Sequence, residues 1–312
     1  MKKFDLNKIF NGDKISIARA ISVIENNLQE SENLIEGIYP KTGKAYRIGI
    51  TGPPGAGKST ITNKIASFLR KQNKKIGIIA VDPTSPFTGG ALLGDRIRMS
   101  DVELDDGVFI RSMASRGSLG GLATKTFEAV DILDASGFDF VIMETVGVGQ
   151  SELDIASAAD TTIVVLVPES GDSIQAMKAG LMEIADFFVL NKSDRPGAEQ
   201  AATSIKTVIG LRSHTEKSWM PQVIKTIAND NIGIDEVVNE IFKHQKHLIS
   251  SCEFLTKRKL RLKNRILEIV KNNLTNKFWT ESKKEFLENN LDKILKNETN
   301  PFAIAKKLQQ NI

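Results

Sequence analysis

Long hydrophobic runs are missing from this 312-residue chain. Its longest apolar stretches, such as 138–143 and 163–167, are the size of strands. A membrane-spanning helix needs ~20 apolar residues, so no membrane contact is expected. Cysteine is nearly absent: Cys252 stands alone, which excludes an internal disulfide and fits a reducing compartment. The start, Met1-Lys2-Lys3-Phe4-Asp5, is charged with no apolar stretch behind it, so no signal peptide is expected and a cytoplasmic location is. Charge of one sign is not in excess. A net charge of +4 is mild for this length and does not argue for nucleic acid. The basic run Lys257-Arg258-Lys259-Leu260-Arg261-Leu262-Lys263 has no interleaved aromatics to stack bases, and reads as the solvated face of an amphipathic helix.

What is present suffices for one large core and a smaller appendage, with 41% hydrophobic residues. Residues 1–45 read as a helical arm, with Ile17, Ile21, Ile24 and Leu28 forming one apolar stripe that must pack on something. From Tyr46 the pattern alternates strand, loop and helix through residue 242. Candidate strands are 46–51, 75–81, 108–111, 138–144, 161–167, 187–191 and 222–226; candidate helices include 122–133 and 173–184. Several strands are near-continuous Val/Ile/Phe runs, as expected when both faces of a parallel sheet are covered. The alternation predicts a doubly wound α/β fold, which binds ligands at the carboxyl ends of its strands. Residues 243–312 read as a helical extension, with apolar spacing at Leu260, Ile266, Leu267, Val270, Leu274, Leu287, Leu291 and Leu295. With little sequence to cover it, that stripe is expected to bury itself against a second copy, giving a homodimer.

The sharpest signal is Gly52-Pro53-Pro54-Gly55-Ala56-Gly57-Lys58-Ser59, followed by Thr60. It fits G-x-x-x-x-G-K-[ST] between an apolar strand and a helix with Ile61, Ile65, Phe68 and Leu69 at helical spacing. Backbone N–H groups of such a turn curl around phosphates, and the helix N-terminus adds its positive dipole end. Lys58 would reach the β/γ-phosphates and Ser59 would bind Mg²⁺.

Asn191-Lys192-Ser193-Asp194 fits N-K-x-D after a late strand. A carboxylate at Asp194 accepts two hydrogen bonds from N1–H and the exocyclic amine of guanine. Adenine has no such donor pair and would leave the carboxylate unpaired. Lys192 can lay its stem over the ring, and Asn191 can tie the loop together. Ile227-Ala228-Asn229, past the last strand, lies where a second guanine-contacting loop belongs. The strand 138–144 ends in Glu144, which can bind Mg²⁺, and Gly147 can offer its N–H to the γ-phosphate. Asp82 and Asp95 add carboxylates of the kind a hard cation prefers, although Asp95, opening a helix, could equally be a cap. Val148 follows Gly147 where familiar small GTPases place a water-orienting Gln, and Gln150 is out of register. Slow intrinsic hydrolysis is expected unless another segment or a partner completes the site.

These motifs occur in one order with Asp82-Pro83-Thr84-Ser85-Pro86, Gly94-Asp95-Arg96-Ile97-Arg98-Met99, Ser115-Arg116-Gly117, Glu144-Thr145-Val146-Gly147-Val148-Gly149-Gln150-Ser151-Glu152 and Gly171-Asp172-Ser173-Ile174-Gln175. Together they resemble the MeaB/ArgK family, within the phosphate-loop GTPases that assist metallocentre and cofactor assembly. The resemblance covers nearly the whole chain. It implies a homodimeric, Mg²⁺-dependent GTP hydrolase acting as chaperone for an adenosylcobalamin-dependent methylmalonyl-CoA mutase or a related acyl-CoA mutase. Such a protein gates cofactor loading and protects or reactivates the mutase. Carried over by motif, Ser59, Asp82, Asp95 and Glu144 surround Mg²⁺, and 171–180, with Asp172, Gln175 and Lys178, matches a loop that responds to the mutase. Gln175 or Lys178 would supply the stabilisation that Val148 cannot. Glu169-Ser170 departs from the pattern, which has small or glycine residues there.

Two alternatives stay open at this point. One is a nickel- or cobalt-insertion GTPase, for which soft ligands are few: one Cys and three His, of which His244 and His247 share a helix face but read as surface residues of a polar tail. The other is a nucleotide-dependent scaffold with incidental turnover.

Overall fold

Runs of Val, Ile, Leu and Phe build one seven-stranded sheet in the order β3-β2-β4-β1-β5-β6-β7. The strands are β1 Tyr46–Thr51, β2 Ile76–Pro83, β3 Val108–Ser115, β4 Phe140–Thr145, β5 Thr161–Leu166, β6 Phe187–Asn191 and β7 Val223–Thr226. All six pairings are parallel. The structure is a computed structural model and describes residues 5–26, 28–83, 102, 104–115, 121–145, 151–170, 179–211 and 218–310. Every residue of β1, β4, β5 and β6 is buried, which explains why these strands lack apolar/polar alternation.

The helices are α1 Leu6–Phe10, α2 Lys14–Asn26, α3 Leu28–Ile38, α4 Lys58–Lys71, α5 Gly121–Ala135, α6 Ser151–Ala158, α7 Ala179–Ile184, α8 Ala198–Gly210, α9 Ile234–Ser250, α10 Glu253–Phe278, α11 Glu281–Leu295 and α12 Pro301–Gln310. One face of the sheet carries α4 and α9, whose Ile61, Ile65, Leu69, Val237, Val238 and Ile241 meet Ile48, Ile50, Ile78 and Ile142. On the other face, Val130 and Leu133 of α5 and Ile155 of α6 join Val141 and Met143. The N-terminal arm packs here: Ile17, Ile21 and Ile24 belong to this same core and α2 lies against α5. Ile17, Ile21 and Ile24 of the arm therefore find their cover within the same chain.

The expected boundary at 242/243 falls inside α9, which continues to Ser250 with His244 and Leu248 buried. The chain divides into compact units between Arg258 and Lys259. In the second unit α11 is capped by the Thr280 side chain and packs with α12, burying Ile304 and Leu308. Leu260, Ile266, Leu267, Val270, Leu274 and Leu295 are exposed. No helix among the described residues is long and apolar enough to cross a membrane.

His244 corrects the surface reading. It is only 1% exposed because α9 is a sheet-covering helix, with His244 three residues beyond Ile241 on its inward face. Its Nδ1 lies 2.7 Å from Thr161 Oγ1 and its Nε2 3.3 Å from Asp186 Oδ1. Burial pushes its pKa down to about 4, against an opposing pull from Asp186. The Trp219 ring packs on both His244 and His247. Among the described residues no group of three or more His, Cys, Asp or Glu is arranged to hold a metal ion.

Candidate nucleotide site

The turn after β1 is built on glycines that no other residue could replace. Gly52 has φ +138°, and a Cβ there would sit 2.1 Å from the Val165 carbonyl oxygen of the neighbouring strand. Gly57 has φ +90°, caps α4, and would drive a Cβ to 2.3 Å from the Asn191 side-chain nitrogen. Backbone thus passes close to backbone and amide, and the helix N-terminus opens directly onto the turn. Lys58, first residue of α4, folds its ammonium over the turn and donates to the carbonyls of Gly52 at 2.8 Å and Pro53 at 2.9 Å. Its charge is held over the loop, as phosphate binding requires.

Glu144 lies at the end of β4 in register with Ile50 of β1 and is buried. Ser59 Oγ donates to Glu144 Oε1 at 2.5 Å. Behind them Thr51 and Thr145 share a hydrogen bond of 2.9 Å between their hydroxyls, joining the ends of β1 and β4. A hydroxyl and a carboxylate held this close are hard oxygen donors of the kind Mg²⁺ takes alongside phosphate and water. Ala80 pairs with Glu144 across β2 and β4, so the Asp82 backbone lies two residues beyond that level on the adjacent strand. The Asp82 side chain, Asp95, Gly147, Gln175 and Lys178 lie outside the described residues.

At the end of β6 the Asn191 amide gathers three segments. Its Nδ2 donates to the Ala56 carbonyl at 2.9 Å, and its Oδ1 accepts from Thr226 Oγ1 at 3.0 Å and Ala228 N at 3.1 Å. Lys192, at φ +58°, donates from Nζ to the Gly55 carbonyl at 2.8 Å, which lays its stem across from the phosphate turn. Ser193 N donates to the Thr226 carbonyl at 3.0 Å.

One cavity of about 630 Å³ gathers Pro54, Gly55, Gly57, Lys58, Ser59, Thr60, Glu144, Asn191, Lys192, Asp194, Ile227, Ala228 and Asn229. Gly52, Pro53 and Ala56 contribute through the carbonyls described above. Four further residues line the cavity: Ala80, Val81 and Asp230, which no motif marks, and Thr145, which belongs to the Glu144 motif but carries no role in it. The fifth, Arg195, follows Asp194 directly and donates from Nη1 to Glu169 Oε1 at 2.5 Å. That hydrogen bond holds the Glu169 carboxyl below its usual range. The cavity is polar at both ends, with a cation and helix terminus at one and a carboxylate at the other, and is shaped for a nucleotide.

Comparison with known proteins gives a consistent picture. The family model described as methylmalonyl Co-A mutase-associated GTPase MeaB matches residues 17–283. A Pyrococcus abyssi protein with a provisional GTPase name is 45% identical, over 98% of this chain and 95% of its own. GTPase ArgK of Escherichia coli is 36% identical, over 79% and 76% of the two chains. A crystal structure described as a LAO/AO transport system kinase superposes with a TM-score of 0.76 at 26% identity, covering 98% of this chain and 95% of that one.

Proposed function

This chain belongs to the methylmalonyl Co-A mutase-associated GTPase MeaB family and is a GTP hydrolase, and from that premise we propose that it is a Mg²⁺-dependent chaperone of an adenosylcobalamin-dependent acyl-CoA mutase of the methylmalonyl-CoA type. It would gate cofactor loading and protect or reactivate the mutase. The mutase part of this reading is supported by the family's description. The guanine-nucleotide part is supported best by the Asn191 amide on the Ala56 carbonyl, which joins the phosphate turn to the loop carrying Asp194.

In this reading Lys58 and the turn 52–60 hold the phosphates. Ser59 and Glu144, with Asp82 and Asp95, hold Mg²⁺, which when bound neutralises charge on the β- and γ-oxygens. Gly147 offers its N–H to the γ-phosphate. Asp194 reads guanine, Lys192 covers the ring, and Ile227, Ala228 and Asn229 line the base. The guanine reading of Asp194 disfavours ATP, whatever reaction the kinase name of the structural neighbour suggests. Gln175 and Lys178 complete the transition-state site when the mutase is bound. The helices beyond residue 242 pair two copies through the exposed Leu and Ile residues of α10.

The test is GTP hydrolysis by wild type, Lys178→Ala and Gln175→Ala, each with and without methylmalonyl-CoA mutase. Stimulation of about 10–100-fold is expected for wild type, below the largest effects of a positive group placed on transferring phosphate. The variants should keep the basal rate and lose stimulation. No stimulation of wild type by the mutase removes the chaperone reading.

A further inference from the structure

We propose that Glu169 and Arg195 form a positioning pair for guanine recognition, holding the Asp194 end of the base-reading loop. The proposal rests on the reading of Asp194 as the guanine acceptor. The loop from Asn191 to Arg195 is unevenly tied. Asn191, Lys192 and Ser193 are each bonded to the phosphate turn, to the end of β7 or to the segment after it. Beyond Ser193, among the described residues, two ties continue the loop. Arg195 N closes a turn on the Lys192 carbonyl at 3.0 Å, and the Arg195 guanidinium reaches Glu169. Glu169 lies in the 3₁₀ turn Pro168–Ser170, just past the end of β5, so it belongs to a different strand end from the loop it holds.

The geometry gives this pair leverage on one atom group. Asp194 is flanked by Ser193, fixed on β7's side, and by Arg195, fixed on β5's side. Two-point reading of guanine needs both carboxylate oxygens aligned with two donors, and small displacements cost most where two bonds must form together. A glycine at position 169 could not hold Arg195, so the tie depends on the Glu169 side chain itself. The pair is open to solvent, with the two side chains 45% and 54% exposed, so its effect is modest and screened by salt.

The test compares GDP with IDP, which lacks the exocyclic amine and so offers Asp194 one donor instead of two. Calorimetry on the full chain gives the affinities of both for wild type, Glu169→Ala, Arg195→Ala and the swap Glu169→Arg with Arg195→Glu. Both single variants should lose about two- to fivefold in GDP affinity, the range of an exposed ion pair, with a smaller loss for IDP. The GDP/IDP ratio therefore falls, raising the salt concentration brings wild type toward the variants, and the swap recovers the ratio. An unchanged ratio in both single variants overturns the proposal, as does failure of the swap to recover it. Equal loss of GDP and IDP in Arg195→Ala alone also overturns it, because Arg195 then acts on the nucleotide itself. A wild type that binds ADP as tightly as GDP overturns the guanine reading, a result distinct from any of these.

Discussion

Ser59 and Glu144 are 85 residues apart, yet the hydroxyl of one donates to the carboxylate of the other at 2.5 Å. Their meeting follows from topology. Ser59 opens the helix that leaves β1, and Glu144 ends the strand that pairs with β1. Any crossover that separated β1 from β4 would also separate these two oxygens.

Glu144→Ala should therefore impair turnover more than nucleotide retention. A Mg²⁺ held by Glu144 would act on the β- and γ-oxygens, so hydrolysis should fall by on the order of tenfold or more, each factor of ten being about 1.4 kcal/mol of lost transition-state stabilisation. GDP affinity should change less. Turnover titrated with Mg²⁺, beside GDP calorimetry, checks this; a wild-type rate in the variant would remove Glu144 from the metal site.

Asp194→Asn should relax the preference for guanine, because an amide cannot accept both hydrogen bonds. The expected loss in GDP binding is about 1–3 kcal/mol, the cost of an unpaired polar group. Competition between GDP and ADP measures it. A variant that discriminates the two as wild type does would show that another residue reads the base.

The chain should lose stability on mild acidification through His244. The unfolded pKa is near 6.5 and the folded value about 4, so the unfolded chain binds more protons between them. The contribution is fully present above pH 6.5 and is lost as pH falls toward 4, amounting to on the order of 3 kcal/mol. Thr161, Asp186, Asp160, Lys257, His247 and Trp219 surround the ring. Urea unfolding at pH 7 and pH 5 should show a smaller drop for His244→Gln than for wild type. Parallel curves would mean that other groups carry the acid sensitivity.

Truncation after Arg258 should leave a folded, nucleotide-binding unit and abolish self-association. The cut falls where the compact units divide, and it removes the exposed Leu260, Ile266, Leu267, Val270 and Leu274. Light scattering should show a dimer for the full chain and a monomer for the truncated one. A full chain that is monomeric at micromolar concentration would dismiss the dimer.

Much of the sheet is legible in the sequence because strands buried on both faces read as uninterrupted Val/Ile/Phe runs. All seven candidate runs coincide with strands. The phosphate turn is legible because glycine is the residue for its positive φ and close approaches. The stripe of Ile17, Ile21 and Ile24 shows that the arm must be covered, but not that α5 covers it, since packing partners leave no periodic trace. His244 looks like a surface residue beside Lys243 and Lys246. Only the inward face of α9, set by its contacts with the sheet, reveals otherwise. The pairing of Arg195 with Glu169 is invisible in sequence for a similar reason: two ordinary charged residues on separate loops meet through the order of β5 and β6 alone.

The short link Gly43-Lys44-Ala45 enters β1 without belonging to any helix or strand. Its three N–H groups all donate to the buried Asp134 carboxylate, while the Gly43 and Ala45 carbonyls accept from Arg258. A stretch that a ribbon drawing would render as loose coil is therefore gripped along both edges. Its amide protons should exchange with deuterated solvent on the timescale of the sheet itself, although Gly43 and Lys44 are exposed at the surface.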